Sequence, residues 1–189
     1  MTQQSIQEDR VVNGVNVTQL FGTMDAIKEQ NEIAKFSFKA SNKWVNGASN
    51  RTTVKDFYGA CEPQLREKPF VFQKDEPPVL LGEDTGANPV EYLFAALAGC
   101  LTTGLVYHAA ARGIELEEVE STYEGDIDLR GFLGMSDEVR NGYEGITVTF
   151  RIKADAPREQ LEELVKIAQA RSPVYDCVSN GVPITAKLA

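Results

Sequence analysis

The sequence predicts an α+β fold in which antiparallel strands wrap a long, buried central helix. Three observations predict it. Residues 88–113 form an apolar run with helix start and stop signals at its ends. Segments before and after it alternate apolar and polar side chains at a period of two. Short turn signals join the strands, which makes the sheet antiparallel.

In chain order, residues 1–15 are polar and read as loose. Val17 to Ile33 reads as a helix with Leu20, Met24 and Ile27 on one face, although Gly22 weakens it. From Ala34 the period changes. Phe36, Phe38 and Ala40 alternate with Lys35, Ser37 and Lys39 in a half-buried strand running towards Trp44. Asn46-Gly47 signals a hairpin turn, and Thr52 to Ala60 reads as the returning strand. Pro69 to Gln73 is a further short strand. Asp75 to Ala87, rich in Pro, Gly and acidic residues, is a loop that delivers the chain to the central helix.

That helix begins with Asn88 as cap, Pro89 at the first helical position and Glu91 placed to reach back to the cap. Arg112 and Gly113 close it. It is about 24 residues and roughly 36 Å long. No charged side chain occurs from Tyr92 to Ala111. A helix apolar all round is buried, either in protein or in lipid. Its Ala- and Gly-rich middle, the missing Lys/Arg flanks and the preceding Glu83 and Glu91 favour a protein core over a membrane. Small residues four apart, Ala95/Gly99 and Gly99/Thr103, allow a second backbone to come close. One short chain supplies one sheet's worth of cover, so the expected assembly is a homodimer that shares two such helices.

Beyond Gly113, Ile114 to Arg130 reads as a long strand or bent hairpin arm, and 131–143 as loop. Ile146, Val148, Phe150 and Ile152 alternate with Thr147, Thr149 and Arg151 as a half-buried strand. Asp155-Ala156-Pro157 starts a helix whose stripe is Leu161, Leu164, Val165 and Ala168. Pro173 ends it, and Ser172-Pro173 starts a short helix closed by Gly181. Val182 to Leu188 reads as a last strand, with Pro183 at its edge or start.

The 189 residues carry 28 Asp and Glu against 19 Lys and Arg, a net charge of -9, so nucleic-acid binding is not expected. Cys61, Cys100 and Cys177 make no disulfide framework. There is no C-x-x-C, and one His excludes a His-rich metal site within one chain; neither metal nor cofactor is implied. The N-terminus lacks an apolar signal segment, so a reducing cytoplasm is the expected location.

N-P-V-E-Y-L-F-A-A-L-A-G-C, from Asn88 to Cys100, resembles the central-helix motif of the OsmC/Ohr family of thiol peroxidases. S-P-V-Y-D, from Ser172 to Asp176, resembles the family's second, more weakly marked motif. The resemblance covers about 150 residues. It implies an OsmC-like domain over 34–189, with 1–33 an N-terminal extension carrying one helix. It also implies an intertwined homodimer with sites at the subunit interface, which reduces organic hydroperoxides using a thiol reductant.

Cys100 then resembles the peroxidatic cysteine, Arg51 its activating cation, and Tyr92, Phe94 and Glu91 the lining of an apolar substrate pocket. A thiolate so deep in a helix needs a cation, because the helix dipole is felt only in the first turn. Each residue also has a plain structural reading: Cys100 and the aromatics as core, Arg51 as a solvated charge, Glu91 as a capping residue. His108, about 12 Å further along the axis, is too far from Cys100 to be its base and reads as a packed side chain.

Two positions depart from the family pattern. Val90 stands where peroxide-reducing members carry Glu. Ser172 stands where they carry the resolving cysteine. Cys177, five residues on, is the remaining candidate resolver, with Cys61 a further one. On a helix Cys177 would sit roughly 140° off the face of position 172. An external thiol could resolve instead. The rival to the enzyme is a non-enzymatic OsmC-like dimer that binds a small apolar ligand at its interface, with Cys100 structural.

Overall fold

The computed structural model describes residues 9–188. The chain forms two compact units. Among the described residues, one comprises 9–11 with Asn16–Ala95 and the other Val12–Val15 with 96–188, so the division falls inside the central helix.

The first unit begins with the helix α1, Val17–Glu29. The Asn16 side chain caps it by accepting from the Gln19 N–H at 2.9 Å. It ends four residues earlier than the sequence pattern predicts. Gln30 turns extended and a single tighter turn, Asn31–Ala34, follows. The main sheet has three strands, β3 (Ala40–Asn46), β4 (Ser49–Val54) and β7 (Phe70–Lys74), in the order β3-β4-β7. Both pairings are antiparallel. The Asn46-Gly47 signal makes the β3–β4 turn, with Gly47 at a φ of 53°, and the Trp44 indole closes it by donating to the Gly47 carbonyl at 2.9 Å.

Two strand expectations are corrected here. Phe36 and Phe38 lie outside β3: Ser37 bridges Tyr58, and both rings stack on Phe57. The run Thr52 to Ala60 is cut at Lys55-Asp56. Asp56 turns away to accept from the Arg66 N–H at 2.9 Å, and Phe57–Gly59 becomes a separate strand, β5, paired with β6, Glu62–Gln64.

The central helix, α2, spans Pro89–Arg112. Its start is the predicted capping box. The Asn88 side chain accepts from the Val90 N–H at 2.8 Å, and the Glu91 carboxylate accepts from the Asn88 N–H at 2.8 Å. By length and composition α2 could cross a membrane.

The second unit holds the rest of α2, a two-stranded antiparallel sheet of β8 (Leu116–Glu124) and β9 (Thr147–Ala154), the one-turn helix α3 (Leu129–Phe132), α4 (Arg158–Arg171) and α5 (Pro173–Asn180). Leu105 and Ala109 of α2 meet Leu164 and Ala168 of α4 in a fully buried core. Leu116, Val119, Phe150 and Ile152 of the sheet pack against it. Gly104 lies over Ala168 at a distance an added methyl group would just fill.

The N-terminal segment is more ordered than expected. Val11–Val12 (β1) and Val15–Asn16 (β2) form a small hairpin about Asn13-Gly14. The Asn13 amide bridges the Ile114 carbonyl and the Leu116 N–H, each at 2.9 Å. Residues 1–8 of the predicted loose segment lie outside the described residues. At the other end, Val182 to Leu188 forms no strand: nothing among the described residues pairs with it, and Ile184 and Leu188 are exposed.

Candidate functional site

Over residues 95–107 only one side of α2 is buried within the chain; near the C-terminal end Ala109 and Ala110 are both buried. Leu97, Leu101, Leu105 and Ala109 form the covered stripe. Ala95, Ala96, Gly99, Thr103 and Tyr107 are exposed. A Cβ built at Gly99 would meet nothing within 4 Å. Cys100 is half-buried. At about 100° per residue it sits on the rim of the open stripe, between Gly99 and Leu101.

Ser172 occupies the position of the expected resolver and is buried, at 3% exposure. Its hydroxyl caps α5 by accepting from the Tyr175 N–H at 3.1 Å. Because 173–180 is helical, Cys177 points well away from the direction of position 172. Cys177 is exposed, as is Cys61, and all three cysteines are free thiols. Cys61 sits at a φ of 65° in the β5–β6 turn, with the Gln30 amide near its sulfur at 3.9 Å.

In the first unit, Arg51 lies on β4 with its Nε donating to the Gln73 Oε1 at 2.6 Å. The Tyr92 hydroxyl donates to the Gln73 carbonyl at 2.7 Å. Arg51 and Tyr92 therefore meet on one residue of β7 but on opposite faces of the sheet. Arg51 shares its face with Gln73, its cross-strand partner, whereas the Tyr92 ring packs edge-on to Phe72. Phe94 is half-buried, and Glu91 is exposed with its carboxylate on the helix cap.

Sequence reasoning passed over the residues around Gln73. Its Nε2 donates to the Ser49 hydroxyl at 2.6 Å and lies 3.5 Å from the Thr85 hydroxyl. Thr85 in turn donates to Asp75 at 2.7 Å. Asp75, at 1% exposure, also accepts from the N–H groups of Glu76 and Thr85. The Thr85 hydroxyl, foremost, holds this carboxyl below its ordinary range. Asp75 reads from sequence as one more acid in a turn-rich loop. The only available signal was that Gln73 falls on an alternating strand position.

His108 is half-buried near the end of α2, with the Arg112 guanidinium 3.5 Å from its Nδ1. Burial, then Arg112 and Arg171, push its imidazole below the ordinary histidine value. No group of three or more metal-ligating side chains occurs among the described residues.

No curated protein matches the chain in sequence. Its structure is similar to that of an OsmC-like protein from Mycoplasma pneumoniae (TM-score 0.57, 15% identity, 75% of this chain and 86% of that one). It is similar also to an OsmC-like protein of unknown function from Vibrio cholerae (TM-score 0.58, 12% identity, 76% and 94%). A third is a Psychrobacter arcticus protein provisionally assigned to osmotic-stress and detoxification responses (TM-score 0.54, 13% identity, 75% and 88%). At these identities the likenesses establish the fold. The OsmC family model, described as OsmC-like protein, matches residues 82–187, which run from the loop before α2 through Cys100 and Ser172 to the C-terminal segment. The chain belongs to the OsmC-like protein family.

Proposed function

We propose that this protein is a cytoplasmic, thiol-dependent reductase of organic hydroperoxides, that it works as a homodimer, and that Cys100 is its peroxidatic residue. The observation that carries the reading is the placement of Cys100: half-buried, midway along the family's central helix, on the rim of a stripe that one protomer leaves uncovered. Ala95, Gly99 and Thr103 make that stripe narrow enough for a second α2 to lie against it. The packing of Leu105 and Ala109 against α4 and the β8–β9 hairpin supports α2 as a core helix rather than a membrane span.

In the proposed reaction the Cys100 thiolate attacks one oxygen of the hydroperoxide. The O–O bond breaks, the sulfur becomes a sulfenic acid, and the departing alkoxide takes a proton to leave as an alcohol. Arg51 of a second copy supplies the positive charge that favours the thiolate. With Ser172 buried as a cap and Cys177 turned away, an external thiol resolves. It condenses with the sulfenic acid, releasing water and forming a mixed disulfide, and a second thiol equivalent reduces that to free Cys100. Tyr92 and Phe94 supply apolar surface for the organic part of the peroxide.

The test is intact mass after one equivalent of an organic hydroperoxide in the presence of a dimedone-type trap. One adduct, located at Cys100, is the expected result. A loss of two hydrogens that Cys177→Ser abolishes would make Cys177 the resolver. The buried Ser172 also favours a second reading, an OsmC-like dimer that binds an apolar ligand without chemistry. An unmodified Cys100 would overturn the reductase and leave this second reading.

A further inference from the structure

We infer that Gln73 is the positioning residue for Arg51, and that Thr85 and Asp75 fix which way its amide points. The inference rests on the proposed role of Arg51 towards Cys100, but its geometry lies wholly within one compact unit.

The direction of the amide follows from donor and acceptor counting. A guanidinium only donates, so the end of Gln73 that meets Arg51 Nε at 2.6 Å is the oxygen. The NH2 end then faces the Ser49 and Thr85 hydroxyls. An ionised carboxylate only accepts, so the Thr85 proton is committed to Asp75 and the Thr85 oxygen is left to accept from Gln73. Asp75 is buried and collects two N–H groups besides that hydroxyl, which keeps it ionised and keeps the chain of donors running one way. Flipping the amide would set NH2 against guanidinium at one end and the amide oxygen against the Thr85 oxygen, whose proton is committed to Asp75, at the other. Gly86 belongs to the same arrangement: a Cβ there would come within 2.5 Å of the Gln73 carbonyl, so glycine lets the loop lie against β7.

Two consequences bear on chemistry. Anchoring through Nε leaves the two terminal nitrogens of Arg51 without a protein partner among the described residues, free to face an anion. The anchor is neutral, so the guanidinium keeps its full charge, which a carboxylate partner would offset. Lys43, the cross-strand neighbour of Arg51 on β3, adds a second positive charge to the same face with no ion pair of its own among the described residues.

The test combines a spectroscopic signature with a mutant cycle. In nitrogen-15 spectra, the Arg51 Nε–H, assigned by its loss in Arg51→Lys, should give a resolved signal protected from exchange. Gln73→Leu should abolish that protection and Thr85→Val should weaken it. The rate of Cys100 oxidation by an organic hydroperoxide should fall about tenfold in Gln73→Leu, the scale of a hydrogen bond to a charged group. The same change in an Arg51→Ala background should add nothing. An Arg51 signal unmoved by Gln73→Leu, or a full further loss in the Arg51→Ala background, would overturn the inference. If Arg51→Ala leaves Cys100 oxidation unchanged while the signal still depends on Gln73, the positioning stands and the proposed role of Arg51 fails.

Discussion

The two main sheets use their apolar side chains differently. The β8–β9 hairpin is finished within the chain. Its inward side chains, Val119, Phe150 and Ile152 among them, pack on the core made by α2 and α4. Its outer face carries ion pairs of Arg151 with Glu118 and Glu120, and of Lys153 with Glu117. The β3–β4–β7 sheet is unfinished. Trp44 is 67% exposed, and Phe70, Val71 and Phe72 are exposed on successive positions of β7, hence on both faces. Patterning at a period of two is therefore enough to specify a strand, but what covers the strand is a separate matter. An apolar face left open on a strand, like the open stripe of α2, is where the proposed dimer would find its contacts.

The largest expected effect sharpens the finished side. Leu105→Ala removes a fully buried side chain from the α2–α4 core and should cost about 2–5 kcal/mol in denaturant unfolding. A loss well below that range would mean the core is less tightly packed than it looks.

Gly99→Leu probes the open side. A Cβ there meets nothing within 4 Å and leucine has the higher helix propensity, so the folded chain should be at least as stable. In the proposed dimer, where two α2 helices meet, association measured by sedimentation should nevertheless weaken about 30-fold or more. Unchanged association would move the contact elsewhere.

A smaller effect is expected at His108. Its folded value lies below the ordinary 6.5, so the unfolded chain takes up the proton first as pH falls. Stability should be at its full value above pH 6.5 and decline below it. In His108→Gln that part of the decline should vanish in unfolding curves taken between neutral and mildly acidic pH.

The smallest effect belongs to the outer face of the hairpin. Arg151 holds the Glu120 carboxyl below its ordinary range, foremost by a hydrogen bond. Any stabilisation is therefore present above the ordinary glutamate value and is lost as pH falls below it. The pair is exposed, so Arg151→Ala should move the neutral-pH unfolding midpoint very little, and even less at high salt.

Much of this fold was legible in the sequence because its signals are local. Asn88, Pro89 and Glu91 specify a helix start through groups three residues apart, and the structure makes those hydrogen bonds. Ser172-Pro173 and Gly181 bound α5 in the same way. Where a reading failed, the deciding contact was distant or the signal was passed over. Phe36 and Phe38 pair with Phe57 rather than extending β3, a choice made some 20 residues downstream. Val182 to Leu188 has the alternation of a strand but no edge to join, and Pro183 lacks a donor. The Asn13-Gly14 turn was a visible signal. Its anchoring to Ile114 and Leu116, a hundred residues away, was not.

The candidate site divides along the same line. Cys100 stands out through its motif, and Ser172 through its departure from one. The link from Arg51 through Gln73 and Thr85 to Asp75 joins two strands and a loop, and no spacing in the sequence announces it.

The most direct measurement of the central claim is steady-state consumption of an organic hydroperoxide with a lipoyl-type dithiol as reductant. It should be made on the intact protein and on Cys100→Ser and Cys177→Ser. The account predicts turnover by the intact protein and by Cys177→Ser, and none by Cys100→Ser. Turnover that survives Cys100→Ser, or no turnover by the intact protein, would contradict it.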